Sequence, residues 1–254
     1  MIALLVARNT FREVVRDRVL MALVIGGLAL LAVTRLASPL AMGEGLRLTV
    51  DLGLSSISWL GLLVVLTVGT ALVSKEIDRR TIFNLLSRPL PRPLYLFGKW
   101  LGLTVALAAV ATILGAALWL MLAVLGHGAY AGSIAEAVFL ATLELAVINS
   151  LAVMFSALST PLLSALYTLG FFLGGQWCAD LRRLAAVCPG ALKSLLEGVA
   201  NVLPNLPLFN MRTLAASGEL TSWTHLALAS AYALLYCGCV LSLASAAFES
   251  RDFK

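Results

Sequence analysis

The sequence predicts an all-α membrane protein with six transmembrane helices, an amphipathic helix at its N-terminus and both termini in the cytoplasm. Three observations carry this. Of 254 residues, 61% are hydrophobic and 12% charged, with a mean hydropathy of +0.97, whereas soluble domains are about 45–50% apolar and about 25% charged. The apolar residues are gathered into runs near the roughly 20 residues that a bilayer-crossing helix needs: 19–36, 54–73, 99–125, 134–158, 162–178 and 226–247. These runs are rich in Leu, Ala, Val and Gly without strict alternation, so helices are expected and barrel strands are not. A water-soluble chain of this composition would expose large apolar patches, which monomers avoid. The chain reads as one transmembrane domain, residues 1–254.

The first element is residues 1–18. Arg8, Arg12 and Arg16 recur every fourth residue, with Leu4, Ala7, Phe11, Val14 and Val15 opposite, so the helix suits the headgroup plane. Glu13 and Asp17 are placed to pair with the arginines. A cytoplasmic extension of the first span is the other reading. A cleavable signal peptide fits less well, because the charged region is long and the apolar run is at the upper limit for a signal core.

Orientation follows from the cations. With the N-terminus in the cytoplasm, Arg8, Arg12, Arg16, Arg18, Lys75, Arg79, Arg80, Arg88, Arg92, Lys99, Arg251 and Lys254 fall inside. Arg35, Arg47, Arg182, Arg183, Lys193 and Arg212 fall outside, which satisfies the positive-inside rule. The net charge of +5 is thus a topology signal. No basic patch lies beyond the membrane flanks, so nucleic acid is not an expected partner.

Between spans two and three, residues 74–93 form the longest charged passage. Up to Leu86 it fits a short helix with Ile77, Ile82, Phe83 and Leu86 as its apolar content, ended by Pro89, Pro91 and Pro93. Such a helix can receive a push from a soluble partner; a solvated connector fits the same residues.

In span four, Glu144 is the one acid well inside a run. A charged side chain there costs on the order of 2.5–3.5 kcal/mol on insertion scales, so it must be paired, protonated or facing a polar cavity. Asn149 lies about 140° from Glu144 around a helix, and one continuous polar track is not expected. Glu136 falls at the interface. Span five is short, follows Pro161 and carries Gly170-x-x-x-Gly174 with Gly175 beside it, small residues that let helices approach closely. They mark either a subunit contact or conduit wall, or ordinary packing within one subunit.

The external link, residues 179–222, is long for a simple connector. Residues 191–202 carry Lys193, Glu197 and Asn201 on one stripe and leucines elsewhere, which predicts a helix at the outer surface ended by Pro204. It is either an external gate or partner platform, or a passive interfacial helix.

Residues 76–102, EIDRRTIFNLLSRPLPRPLYLFGKWLG, resemble the cytoplasmic loop of type-2 ATP-binding-cassette (ABC) exporter permeases, in which a Glu, a Gly-Thr, paired leucines, a Pro with a basic residue and a Gly-Lys follow in order. Glu76, Thr81, Leu85, Leu86, Pro89, Arg92, Gly98 and Lys99 match; Arg80 departs, standing where many members have Gly. The amphipathic N-terminal helix, residues 203–210 (LPNLPLFN) and residues 248–253 (FESRDF) resemble the same family, and the likeness is nearest to the branch containing the permease subunit associated with multicopper-enzyme (nitrous oxide reductase) maturation.

The resemblance implies an ABC permease of the bacterial cytoplasmic membrane, residues 1–18 being its elbow helix. It implies a homodimer or a pair with a related permease, embedded in membrane lipid, with an external accessory protein as a further partner. Each copy would dock a cytoplasmic ABC ATPase that holds ATP and Mg, through a coupling helix using Glu76, Arg79, Arg80, Thr81, Phe83 and Leu86. Gly170, Gly174 and Gly175 would then serve the subunit contact or conduit, and spans two and five would re-pack around a central path.

No phosphate-binding G-x-x-x-x-G-K-[ST] run occurs in the chain, and no cofactor is expected in it. Leu173, Gly174, Gly175 and Gln176 superficially match a nucleotide-binding signature but fall at the outer end of span five. Hydrolase motifs are missing from the sequence. His127 and His225 suit interface positions better than a metal site. Cys237 and Cys239 point apart on a helix, and Cys178 with Cys188 falls outside, where a disulfide is chemically allowed. A membrane anchor or scaffold that transports nothing is the alternative class; recovery of an ATPase on purification separates the two.

Overall fold

The computed structural model describes residues 2–37, 44–72, 92–188 and 190–249. Those residues form ten α-helices: α1 Ile2–Val15, α2 Arg18–Ala37, α3 Gly45–Val64, α4 Arg92–Val124, α5 Ala131–Leu158, α6 Pro161–Gln176, α7 Cys178–Val187, α8 Ala191–Val202, α9 Arg212–Ala216 and α10 Trp223–Glu249. Helix α3 runs on through a π-helical turn, Val65–Gly69. Short 3-10 turns lie at Gly128–Tyr130 and Leu206–Phe209.

Four stretches are each long and apolar enough to cross a membrane: Gly45–Gly69, Pro93–Val124, Gly128–Leu158 and Trp223–Ala247. Two bent pairs qualify only when joined, Ala3–Val15 with Arg18–Thr34 at 62° and Pro161–Gln176 with Cys178–Val187 at 57°. The chain therefore has four to six candidate spans. Two of the six expected runs are corrected. The second helix starts at Gly45 rather than near 54, because Arg47, exposed, and Asp51 continue it beyond the apolar run. The fifth breaks after Gln176: its 16 residues reach only about 24 Å, short of the roughly 30 Å hydrocarbon core.

At the N-terminus, α1 docks on the start of α4. Ala7, Thr10 and Val14 are buried while Leu4 and Leu5 are exposed, so the packed side is narrower than the amphipathic pattern implied. The fit requires glycine: a Cβ on Gly98 would lie 2.9 Å from the Ala3 carbonyl oxygen, and one on Gly102 2.6 Å from that of Ala7. Glu13 reaches across to Lys99 at 3.7 Å. Asp17 caps α2 by accepting from the Val19 N–H at 2.8 Å, which satisfies one of the orphan donors of a helix start.

The core lies between α4 and α5. Leu103, Leu107, Leu114, Leu118 and Leu122 form one buried stripe of α4, and Leu140, Leu145 and Ile148 are fully buried on α5. Apolar side chains on the outward faces, such as Ile113, Leu120, Leu228 and Leu235, are exposed, as lipid-facing positions are in a bundle that water does not drive together.

Beyond α6 the chain does not simply leave the bundle. Helices α7 and α8 pack on each other, the Cys178 thiol donating to the Ala200 carbonyl at 3.3 Å. The next residues fold back inward, with Leu206 and Phe209 buried. They are fastened by the Asn205 N–H donating to Tyr232 Oη at 2.8 Å, by His225 Nε2 paired with the Leu208 carbonyl at 2.9 Å, and by the Thr221 N–H donating to Glu136 Oε2 at 2.6 Å. Glu136 thus holds the backbone just ahead of the last helix. Helix α8 ends at Val202, two residues before Pro204, and its Lys193 and Glu197 pair at 3.9 Å.

Candidate functional site

Glu144, midway along α5, is 2% exposed. Its carboxylate is shared between helices: Gln176 at the end of α6 donates Nε2–H to Oε1 at 2.7 Å, and Ser58 of α3 donates to Oε2 at 3.3 Å. The Arg212 guanidinium of α9 lies within electrostatic reach of Glu144 and donates to Ser55 Oγ at 3.2 Å. Ser55 and Ser58 are one turn apart on α3 and share a face, so arginine and carboxylate meet the same side of that helix. Each neutral bond inside a membrane averages only about 0.6 kcal/mol, less than the cost of an unaccompanied charge at that depth. The carboxyl of Glu144 is accommodated by the Gln176 and Ser58 hydrogen bonds together, with Arg212 on the same side of α3.

Asn149 belongs to a different contact. Its Nδ2 donates to the Trp100 carbonyl at 3.0 Å and to Thr104 Oγ1 at 2.9 Å, on α4. Ser156, on the same side, donates to the Thr70 carbonyl at 2.7 Å, at the end of the π-helical turn. Glu144 and Asn149 are not brought together.

The three glycines of α6 separate as well. A Cβ on Gly174 would meet Leu203 at 3.0 Å, and one on Gly175 would meet Leu206 and the Pro204 carbonyl, both at 2.9 Å, whereas Gly170 has nothing within 4 Å. Gly174 and Gly175 are therefore seats for the chain's own returning segment. Gly170 lies on an outward apolar face with Leu162, Leu166 and Leu173. The coupling-loop residues Glu76, Arg79, Arg80, Thr81, Phe83 and Leu86 lie outside the described residues.

Sequence reasoning found Glu144 but missed Gln176, Ser58, Ser55 and Arg212. In the sequence Gln176 reads only as part of a superficial signature match, and Arg212 only as a cation of the external link. The helix break after Gln176 and the inward fold of residues 204–216 bring them in. His127 makes an edge contact with Tyr130 and does not meet His225. No group of three or more His, Cys, Asp or Glu side chains able to hold a metal ion occurs among the described residues. Cys178 and Cys188 are free thiols; ten residues apart at the two ends of α7, they are separated by about 15 Å, beyond disulfide reach.

A bundle of apolar helices with two bent helix pairs and a buried polar cluster around Glu144 has the architecture of a multi-pass membrane protein. The chain belongs to the ABC-2 family of transporter proteins, whose family model matches residues 4–252. It is the permease subunit of such a transporter, and ATP hydrolysis is carried by a partner ATPase subunit. No characterised protein matches the chain.

Proposed function

We infer that two copies of this chain, or one copy and a related permease, form the membrane part of an exporter in the bacterial cytoplasmic membrane. The N- and C-termini lie inside with the ATPase. Residues 1–254 act as a single permease domain, the 74–93 loop docking the ATPase through Glu76, Arg79, Arg80, Thr81, Phe83 and Leu86. ATP-driven closure of the ATPases moves the two loops and re-packs α3 and α6 around a central path. Residues 179–222 close that path on the outside and offer a surface to an external accessory protein. The placement near the multicopper-enzyme maturation branch rests on the sequence resemblance alone.

The supporting observation is the outward face of α6. Gly174 and Gly175 are filled by the chain's own Leu203 and Leu206, while a Cβ on Gly170 would meet nothing within 4 Å and the leucines beside it are exposed. Small residues on such a face admit a second helix at close range. The paired charge reversals Glu76→Arg and Arg80→Glu test the coupling assignment. They are expected to abolish co-purification of the ATPase or its stimulation by substrate; full stimulation in an assembled mutant overturns it.

A further inference from the structure

Helix α1 has a packed side and an outward side. Ala7, Thr10 and Val14 are buried against α4, at the seat that Gly98 and Gly102 provide. A second row, Leu4, Arg8, Arg12 and Arg16, is exposed throughout, and Leu5 beside it is exposed as well. Residues four apart drift by only about 40° around a helix, so the row keeps to one outward side.

The sequence places Glu13 and Asp17 to neutralise this row, but both acids are engaged elsewhere. Glu13 turns to Lys99 of α4, a buried cation, at 3.7 Å, and Asp17 accepts from the Val19 N–H at 2.8 Å. Among the described residues no carboxylate pairs with Arg8, Arg12 or Arg16. Three like charges therefore stand uncompensated on a row that begins with a leucine. Water suits the arginines but not Leu4 and Leu5, and an acidic protein surface suits the charges alone. Past the 62° corner between α1 and α2 the chain runs directly into Met21, Ile25 and Leu28, exposed apolar side chains of the joined span. Lipid thus begins within one turn of the arginine row. An occupant that fits both kinds of side chain has acyl chains for the leucines and phosphates for the guanidiniums, whose planar forks take phosphate oxygens in pairs.

We propose that the outward side of α1 is a binding surface for anionic phospholipid, in which Arg8, Arg12 and Arg16 take headgroup phosphates while Leu4 and Leu5 enter the acyl boundary. The three uncompensated charges favour a lipid of net negative charge over a zwitterionic one. The surface selects a class of headgroup, and needs neither substrate nor ATPase to do so.

The test is native mass spectrometry of the full chain in a nonionic detergent, titrated with phosphatidylglycerol or with phosphatidylcholine of the same acyl chains. The wild type should bind phosphatidylglycerol the more tightly, by about tenfold or more. Arg12→Gln alone should weaken phosphatidylglycerol about fivefold, and Arg8→Gln, Arg12→Gln and Arg16→Gln combined should bring it level with phosphatidylcholine. Arg47→Gln, Arg183→Gln and Lys193→Gln combined remove three exposed cations elsewhere and should leave both affinities as they were. If the triple variant of α1 folds poorly, Arg12→Gln decides. Equal binding of the two lipids by the wild type, unchanged binding in the α1 variants, or an equal loss in the charge control overturns the proposal. Loss of ATPase recovery in the α1 variants with lipid binding intact overturns it too, and assigns the row to a protein.

Discussion

The Trp100 indole donates to the Ala146 carbonyl, and three residues further along α5 Asn149 donates back to the Trp100 carbonyl, both at 3.0 Å. Two helices are thus joined by a reciprocal pair through one residue of α4. Around it the packing is apolar, so the pair fixes the register that leucines alone leave open.

Asn149→Leu removes two donors and leaves Thr104 and the Trp100 carbonyl without them. Bonds of this kind in a membrane average about 0.6 kcal/mol and reach about 1.7. The expected loss is about 1–2 kcal/mol, read as a lower midpoint of thermal unfolding in detergent. Trp100→Phe should cost a similar amount, and the two together less than their sum, because they share partners.

Gly102→Ala places a Cβ 2.6 Å from the Ala7 carbonyl oxygen and 2.7 Å from Thr10 Cβ. Backbone on the opposing helix leaves little room to yield, so α1 should lift from α4 and become accessible to a protease. Gly26→Ala in α2 is the control. Nothing lies within 4 Å of that site, and Ala is the better helix former by about 0.8–1.0 kcal/mol, so stability should hold or rise.

Gly170→Cys and Gly175→Ala separate the two uses of α6. The first should fold normally and, if α6 meets its counterpart in a second copy, form an intermolecular disulfide under mild oxidation, visible as a dimer on a non-reducing gel. The second meets Leu206 and the Pro204 carbonyl at 2.9 Å and should lower stability of the single subunit. Monomer only with Gly170→Cys would count against the contact.

Aqueous thiol labelling of the folded protein should modify Cys188, which is partly exposed beyond the end of α7, whereas Cys239, exposed midway along the membrane-spanning α10, should react only with a membrane-permeant reagent. Cys178 and Cys237 are buried and should react only on unfolding. Mass spectrometry without reductant should find four free thiols, in line with the span of α7 between Cys178 and Cys188.

Much of the fold was legible because membrane helices are coded by composition over twenty residues, and composition survives single substitutions. The apolar runs, the amphipathic start and the helix ended before Pro204 all rest on such averages. The charged cluster was only half legible. Glu144 stands out because an acid inside an apolar run is costly, but Gln176, Ser55 and Ser58 are polar residues of a kind that occurs throughout the chain. What selects them is that α6 stops short at Gln176, and nothing local in the sequence distinguishes a short span from a truncated hydropathy peak. Arg212 was legible only as a cation of the long link, because nothing local in the sequence shows that Leu206 and Phe209 bury the segment that carries it.

The π-helical turn at Val65–Gly69, where the Thr70 N–H reaches back to the Val65 carbonyl at 3.1 Å, inserts one residue into the winding of α3. Each residue advances an α-helix by about 100°, so Thr70 and Leu72 emerge at a different azimuth from the one an unbroken α3 would give them. The inserted residue is a phase offset stored just ahead of the 74–93 loop. Moving it by one turn along the axis would swivel the residues it passes while exchanging very few hydrogen bonds.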